Sequence, residues 1–159
     1  MFLRSGLCLS LSLFLLTVAH AQERAKAPRI GYLTATSLSA IAARTEAFRQ
    51  GLRELGYVEG KNILIEQRHA EGKLDRLPAL ATELVRLNVN IIVSAGPGDT
   101  AAAKAVTSTI PIIMAQDSDP VGNGFVDSLA RPGGNITGLA TLAPEISGKR
   151  LELLYENCA

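Results

Sequence analysis

The chain has 159 residues, with 16 basic and 15 acidic side chains and a net charge of +1, a length suited to one domain. That balance excludes the strongly basic face that nucleic-acid binding requires, and 4% aromatic residues with no Trp exclude a base-stacking platform. Hydrophobic residues at 47% and charged residues at 19% are those of an ordinary globular protein.

Residues 1–21 read as a secretory signal. Arg4 supplies the positive start, and residues 7–18 form an apolar run broken only by Cys8, Ser10, Ser12 and Thr17. Ala19-His20-Ala21 is a small-x-small cleavage pattern, so the mature chain is expected to begin at Gln22. The run falls short of the roughly 20 residues of a membrane span. Cys8 precedes most of it, whereas a lipid-attachment cysteine would follow it. Cleavage leaves Cys158 alone, so no internal disulfide is expected even in an oxidising compartment.

Residues 22–28 form a polar leader, after which strand and helix signals alternate. Residues 29–33 (RIGYL) predict a strand, and 34–39 a Thr/Ser-rich loop ending in an N-cap. Ile41, Phe48, Leu52 and Leu55 recur at helical spacing, and Gly56 stops that helix. Residues 62–66 predict strand two. Leu77, Leu80, Ala81, Leu84 and Leu87 predict a helix capped by Asp75. Strand three is expected at 90–94, a helix at 100–106, and strand four at 110–115. A short helix is expected at 124–130, closed by Arg131-Pro132-Gly133-Gly134, then strand five at 136–140. A last helix at 144–155 has Ile146, Leu151 and Leu154 on one face. The alternation predicts an α/β fold, a doubly wound parallel five-stranded sheet with helices on both faces.

Ligands of such sheets bind outside the carboxyl ends of the strands. The loops to inspect are therefore 34–37, 95–100 and 116–120. In the second, Gly96 and Gly98 permit close backbone approach, and Asp99 and Thr100 are expected to cap the following helix. A helix N-terminus attracts an anion, which Asp99 would repel unless it turned aside. Gly96-Pro97-Gly98-Asp99-Thr100-Ala101 also matches a dinucleotide fingerprint, with Asp117 about 20 residues on as a ribose acceptor. Against that reading, the match follows the third strand rather than the first, and an exported protein seldom meets NAD. Asp117 and Asp119 are too few carboxylates for a hard metal. More simply, one braces the Pro120 turn and the other faces a ligand amine. His69 is expected on the surface, away from the cleft, and Cys158 lacks a catalytic partner. No catalytic residue, metal or cofactor is predicted, and what is missing favours binding over catalysis.

Several segments carry a family resemblance. They are Gly51-Leu52-Arg53-Glu54-Leu55-Gly56-Tyr57 with Glu59-Gly60-Lys61-Asn62, and Ala103-Lys104-Ala105 with Thr107-Ser108-Thr109-Ile110-Pro111-Ile112. The most specific are Asp119-Pro120-Val121 and the run Ser128-Leu129-Ala130-Arg131-Pro132-Gly133-Gly134-Asn135-Ile136-Thr137-Gly138, followed by Lys149-Arg150-Leu151-Glu152-Leu153-Leu154. Together they resemble the periplasmic substrate-binding proteins of ABC transporters, in the tryptophan/tyrosine-type or uncharacterised subgroup. The resemblance covers residues 29–155. It implies a periplasmic-binding-protein type I lobe of flavodoxin-like strand order, one of two lobes closing on a small solute such as an amino acid. It further implies delivery of that solute to an ABC permease, with no nucleic-acid partner. By position, the ligand-binding residues would be Thr36, Ser37, Gly96, Pro97, Gly98, Asp99, Thr100, Ser118 and Asp119. Amino-acid-binding members often carry a Thr-Pro-Ala-like sequence where this chain has Gly-Pro-Gly-Asp. That departure implies a cationic or amine-bearing solute at Asp99. The resemblance implies that residues 29–159 are an N-terminal lobe without its second lobe, from a truncated gene or a partial sequence. The other functions weighed are an extracytoplasmic ligand-sensing module of a membrane receptor and a dinucleotide-binding enzyme domain.

Overall fold

The computed structural model describes residues 27–141, 148–149 and 151–155. The expected signal segment and most of the leader lie outside the described residues. The elements run β1 (Arg29–Thr34), α1 (Leu38–Glu54), β2 (Leu64–His69), a 3-10 turn (Leu74–Arg76), α2 (Leu77–Arg86), β3 (Ile91–Ser94), α3 (Pro97–Val106), β4 (Ile112–Asp117) and β5 (Ile136–Ala140). All strands are parallel, in the order β2-β1-β3-β4-β5. The doubly wound α/β architecture expected from the alternation is therefore present.

The two faces follow the period-two geometry of strands. Leu33, Ile92, Ile112 and Met114 point to the face covered by α2 and α3, where Leu77, Leu80, Ala81, Leu84, Ala102 and Ala103 meet them. Ile30, Tyr32, Val93 and Ile113 point to the other face, against Ile41 and Phe48 of α1. Each fully buried Leu or Ile contributes about 1.5–3 kcal/mol of transfer free energy, which makes the first cluster the main stabilising element. Leu84 packs so closely on β1 that a Cβ at Gly31 would lie 3.1 Å from its methyl carbons.

Helix ends obey local chemistry. Ser37 caps α1, its Oγ accepting the Ala40 N–H at 3.3 Å. At the other end Gly56 takes φ +84°, with Gly56 N–H donating to Arg53 O and Tyr57 N–H to Leu52 O. That is the paired hydrogen-bond pattern of a glycine-terminated helix.

Several boundaries differ from the sequence expectation. Strand two begins at Leu64 rather than 62, because Asn62 holds a turn: its Oδ1 accepts Val58 N–H at 2.6 Å and its Nδ2 donates to Gly56 O at 2.8 Å. Strand four begins at Ile112 rather than 110, because Pro111 has no N–H to give and Asn135 Nδ2 takes the Ile110 carbonyl at 2.7 Å. Asp75 does not cap α2. It lies in the 3-10 turn, and the N-cap position, Arg76, has helical dihedrals and no side-chain cap.

The expected helix at 124–130 is absent. Asp119 Oδ1 caps a single turn by accepting Gly122 N–H at 2.8 Å, and Gly124 at φ +67° ends it, with Phe125 N–H donating to Pro120 O. The left-handed glycine and the glycine–proline content beyond leave no room for a second turn. Lys104 of α3 donates to the Gly124 carbonyl and holds this turn against the body. Of the last expected helix, 148–149 and 151–155 are helical. Leu151 and Leu154 are exposed there, and Ile146 lies outside the described residues.

Candidate functional site

Strand order reverses direction between β1 and β3, since β2 lies on one side of β1 and β3 on the other. The carboxyl ends of those strands open the crevice where ligands of such sheets sit. Three loops meet at this end, after β1, β3 and β4. An open depression of about 210 Å³ lies beside them, lined by Arg44, Ala95, Gly96, Pro97, Gln116, Asp117 and Ser118. It shares Arg44, Ala95 and Gln116 with a neighbouring depression of about 260 Å³ that runs under α1 to Tyr32 and Phe48. A third depression, of about 140 Å³, lies under the end of α1 beside Tyr57, Glu59 and Ile63, towards the amino end of β2 and away from the loops.

The expected site residues divide into outward and inward groups. Thr36 is exposed, with its Oγ1 3.0 Å from Thr34 Oγ1. Ser37 is half-buried and occupied as the cap of α1. Gly96, Pro97 and Ser118 border the depression, and Gly98 is exposed. Asp119 is exposed and occupied in capping its turn.

Asp99 and Thr100 are buried, and neither is the N-cap of α3. The helix starts earlier than expected because Pro97, with φ preset near the helical value, takes the first position and Gly96 becomes the cap. Thr100 then belongs to an internal network. Its Oγ1 donates to Gly96 O at 3.0 Å and lies 2.7 Å from Ser94 Oγ.

Asp99 falls at the third helical position, from which an acidic side chain reaches back towards the cap amide. Burial pushes its carboxyl up from 3.8 to about 6, while the backbone amides of Ala35, Gly96 and Ala95 pull the other way. Its Oδ1 has no hydrogen-bond partner. Burial likewise raises the Tyr32 hydroxyl, reinforced by the negative charge of Asp99 and opposed by the nearby Thr45 hydroxyl and the charge of Arg44.

Three lining residues, Arg44, Ala95 and Gln116, were not among the expected ligand contacts. Arg44 was legible, since it lies three residues after Ile41 and four before Phe48 on the packed stripe of α1. Asp117 was read, with Asp119, as either the brace of the Pro120 turn or the residue facing a ligand amine. Its Oδ1 accepts Asp119 N–H at 2.8 Å and Asn123 Nδ2 at 3.0 Å, and its Oδ2 is buried without a partner. His69 is half-buried at the end of β2 rather than on the surface, with Nε2 3.2 Å from Gln67 Oε1. Among the described residues no group of three or more His, Cys, Asp or Glu side chains is placed to hold a metal. Nor is any helix among them long and apolar enough to cross a membrane.

Comparison with known proteins agrees with this architecture. The family described as "ABC transporter substrate binding protein" matches residues 30–157. A tyrosine-binding protein of Clostridioides difficile (strain R20291) is 34% identical over 93 residues, covering 58% of this chain and 27% of that protein. A conserved domain protein of Vibrio cholerae superposes with a TM-score of 0.72 at 30% identity, covering 79% of this chain and 43% of the other. The ABC domain from Streptococcus pneumonia in complex with L-Trp gives 0.67 at 27% identity, covering 72% and 39%. The ligand-free, open form of a substrate binding protein with adhesive properties from Clostridium difficile gives 0.66 at 28%, covering 70% and 38%. The chain thus spans well under half the length of these relatives. With the family match extending over nearly the whole α/β lobe, the chain belongs to the ABC transporter substrate binding protein family.

Proposed function

We propose that this lobe forms one wall of a cleft that captures a small organic solute of the amino-acid class for delivery to a membrane permease. Residues 1–21 would direct the chain across the membrane and be removed, so capture is extracytoplasmic. The role is binding rather than catalysis. The observation that carries this reading is the family match over residues 30–157. The relatives named for tyrosine and crystallised with L-Trp supply the solute class. The polar strand-end loops, with Thr36, Gly96, Pro97, Gly98 and Ser118 at the crevice, supply the surface.

Thermal unfolding in the presence of each common amino acid tests the reading. A bound solute at 100 times its Kd stabilises by about 2.7 kcal/mol, a readily measured rise in Tm. No shift with any amino acid at millimolar concentration would refute the assignment of solute class to this chain.

A further inference from the structure

We propose that Asn123 is a modification site: it deamidates spontaneously, and the carboxylate so formed disrupts the loop that carries Asp117 and Ser118. The inference is independent of the solute-capture reading, because it concerns the chemistry of the chain alone.

An asparagine deamidates when the backbone nitrogen of the next residue attacks its side-chain carbonyl carbon. A bond forms between that nitrogen and Cγ, the nitrogen gives up its proton, and Nδ2 leaves as ammonia, which closes a cyclic imide. Water then opens the imide at either carbonyl. The products are aspartate and an isomer whose backbone runs through the former side chain. A side chain on the following residue obstructs the attack, and glycine has none. Asn62, Asn90 and Asn135 precede Ile, Asn88 precedes Val and Asn157 precedes Cys; Asn123 alone precedes Gly.

The fold leaves that dipeptide accessible. Asn123 and Gly124 are exposed on the single turn after Pro120. Nothing lies within 4 Å of the place a Cβ on Gly124 would occupy, so the turn is open to water. The Gly124 N–H donates to Val121 O at 2.9 Å, and the attack follows opening of that bond, which costs little in an exposed turn.

The same residue braces the loop. Asn123 Nδ2 donates to Asp117 Oδ1 at 3.0 Å. Asp117 is 1% exposed, and its Oδ2 has no partner. Deamidation replaces the donor with a carboxylate, so acceptor faces acceptor and like charges meet at a buried site. Asp117 is then left with the Asp119 amide, at 2.8 Å. The isomer also adds a carbon to the backbone inside the turn that the Phe125 N–H closes on Pro120 O. Phe125 and Val126 are fixed in the core, so the added length displaces the Asp117 side of the turn. Asp117 and Ser118 line the depression, which loses that part of its wall.

Peptide mass spectrometry of the full chain incubated at pH 8 tests the chemistry without any variant. Conversion to acid at Asn123 should run about tenfold or more faster than at Asn62, Asn88, Asn90 and Asn135, because glycine does not hinder the attack. Conversion at Asn123 no faster than at those residues would overturn the proposal. Hydrogen exchange at the Asp119 amide tests the consequence. Asn123→Ala removes the donor, whereas Asn123→Asp removes it and adds the repelling charge. Exchange should therefore be faster in Asn123→Ala than in the parent and about tenfold faster again in Asn123→Asp. The deamidated fraction, separated from the same sample by anion exchange, should match Asn123→Asp or exceed it. Exchange in Asn123→Asp and in the deamidated fraction no faster than in Asn123→Ala would refute the disruption of the loop.

Discussion

Replacing Asp99 with Asn should stabilise the fold at neutral pH and leave it unchanged in acid. The carboxyl is buried at the crevice, and its value rises from 3.8 to about 6 because burial disfavours the charged form. A carboxyl raised on folding contributes stability that is complete below its unfolded value. That stability is lost as pH rises through the folded value. Here the loss falls between about pH 4 and pH 6, so ionised Asp99 is a cost at pH 7. At about 1.4 kcal/mol per pH unit the ceiling is about 3 kcal/mol. Water reaching the loop mouth reduces it to roughly 1–2 kcal/mol. Asn removes the charge and keeps an oxygen for the backbone amides of Ala35 and Gly96. Urea unfolding of both proteins at pH 4, 5, 6, 7 and 8 reads the difference directly, since other titrating groups cancel in the comparison. The midpoints should coincide at pH 4 and separate by about 1 M urea above pH 7. A constant offset at every pH would show that Asn changes packing or capping rather than ionisation. A variant less stable at pH 8 than at pH 4, relative to the parent, would show that the Asp99 charge is stabilising and would refute the reasoning.

Other substitutions probe the frame that holds the crevice. Gly138 has φ +148°, and a Cβ there would lie 2.2 Å from Met114 O; Gly138→Ala should cost about 2–3 kcal/mol by urea unfolding and loosen β5 from β4. Leu84→Ala should cost about 2–5 kcal/mol by removing a fully buried side chain. Because Leu84 presses on Gly31, adding Gly31→Ala should restore part of that loss, a coupling that a double-mutant cycle measures. Ser37→Ala should cost about 1 kcal/mol through the lost cap of α1, seen as a lower urea midpoint with an unchanged slope.

Residues with purely local rules were legible in the sequence. A Thr/Ser cap before α1, Gly56 as a stop and the apolar stripe of α2 follow from hydrogen-bond geometry and helical periodicity, although the cap falls at Ser37 rather than at the end of the 34–39 loop. The alternation of short apolar strands with amphipathic helices dictated a parallel sheet with helices on both faces. The strand-end rule then pointed to the end of that sheet where Gly96, Pro97 and Ser118 border a depression.

What the tertiary structure decided is where each polar side chain spends its hydrogen bonds. Asp75, Asp99, Asp117 and Asp119 look equivalent in sequence, each an acidic residue near an element end. In the fold Asp75 sits within a 3-10 turn, Asp119 caps a turn in solvent, and Asp99 is buried behind Gly96. Asp117 is locked by Asp119 and Asn123 with one oxygen bare. Those differences arise partly from tight turns that bond Asp117 and Asp119 to residues two to six positions away, and partly from strand pairing, which brings the Ala35 amide to Asp99. Local periodicity carries no information about them, because a carboxylate's solvation is set by what packs around it rather than by its neighbours in sequence.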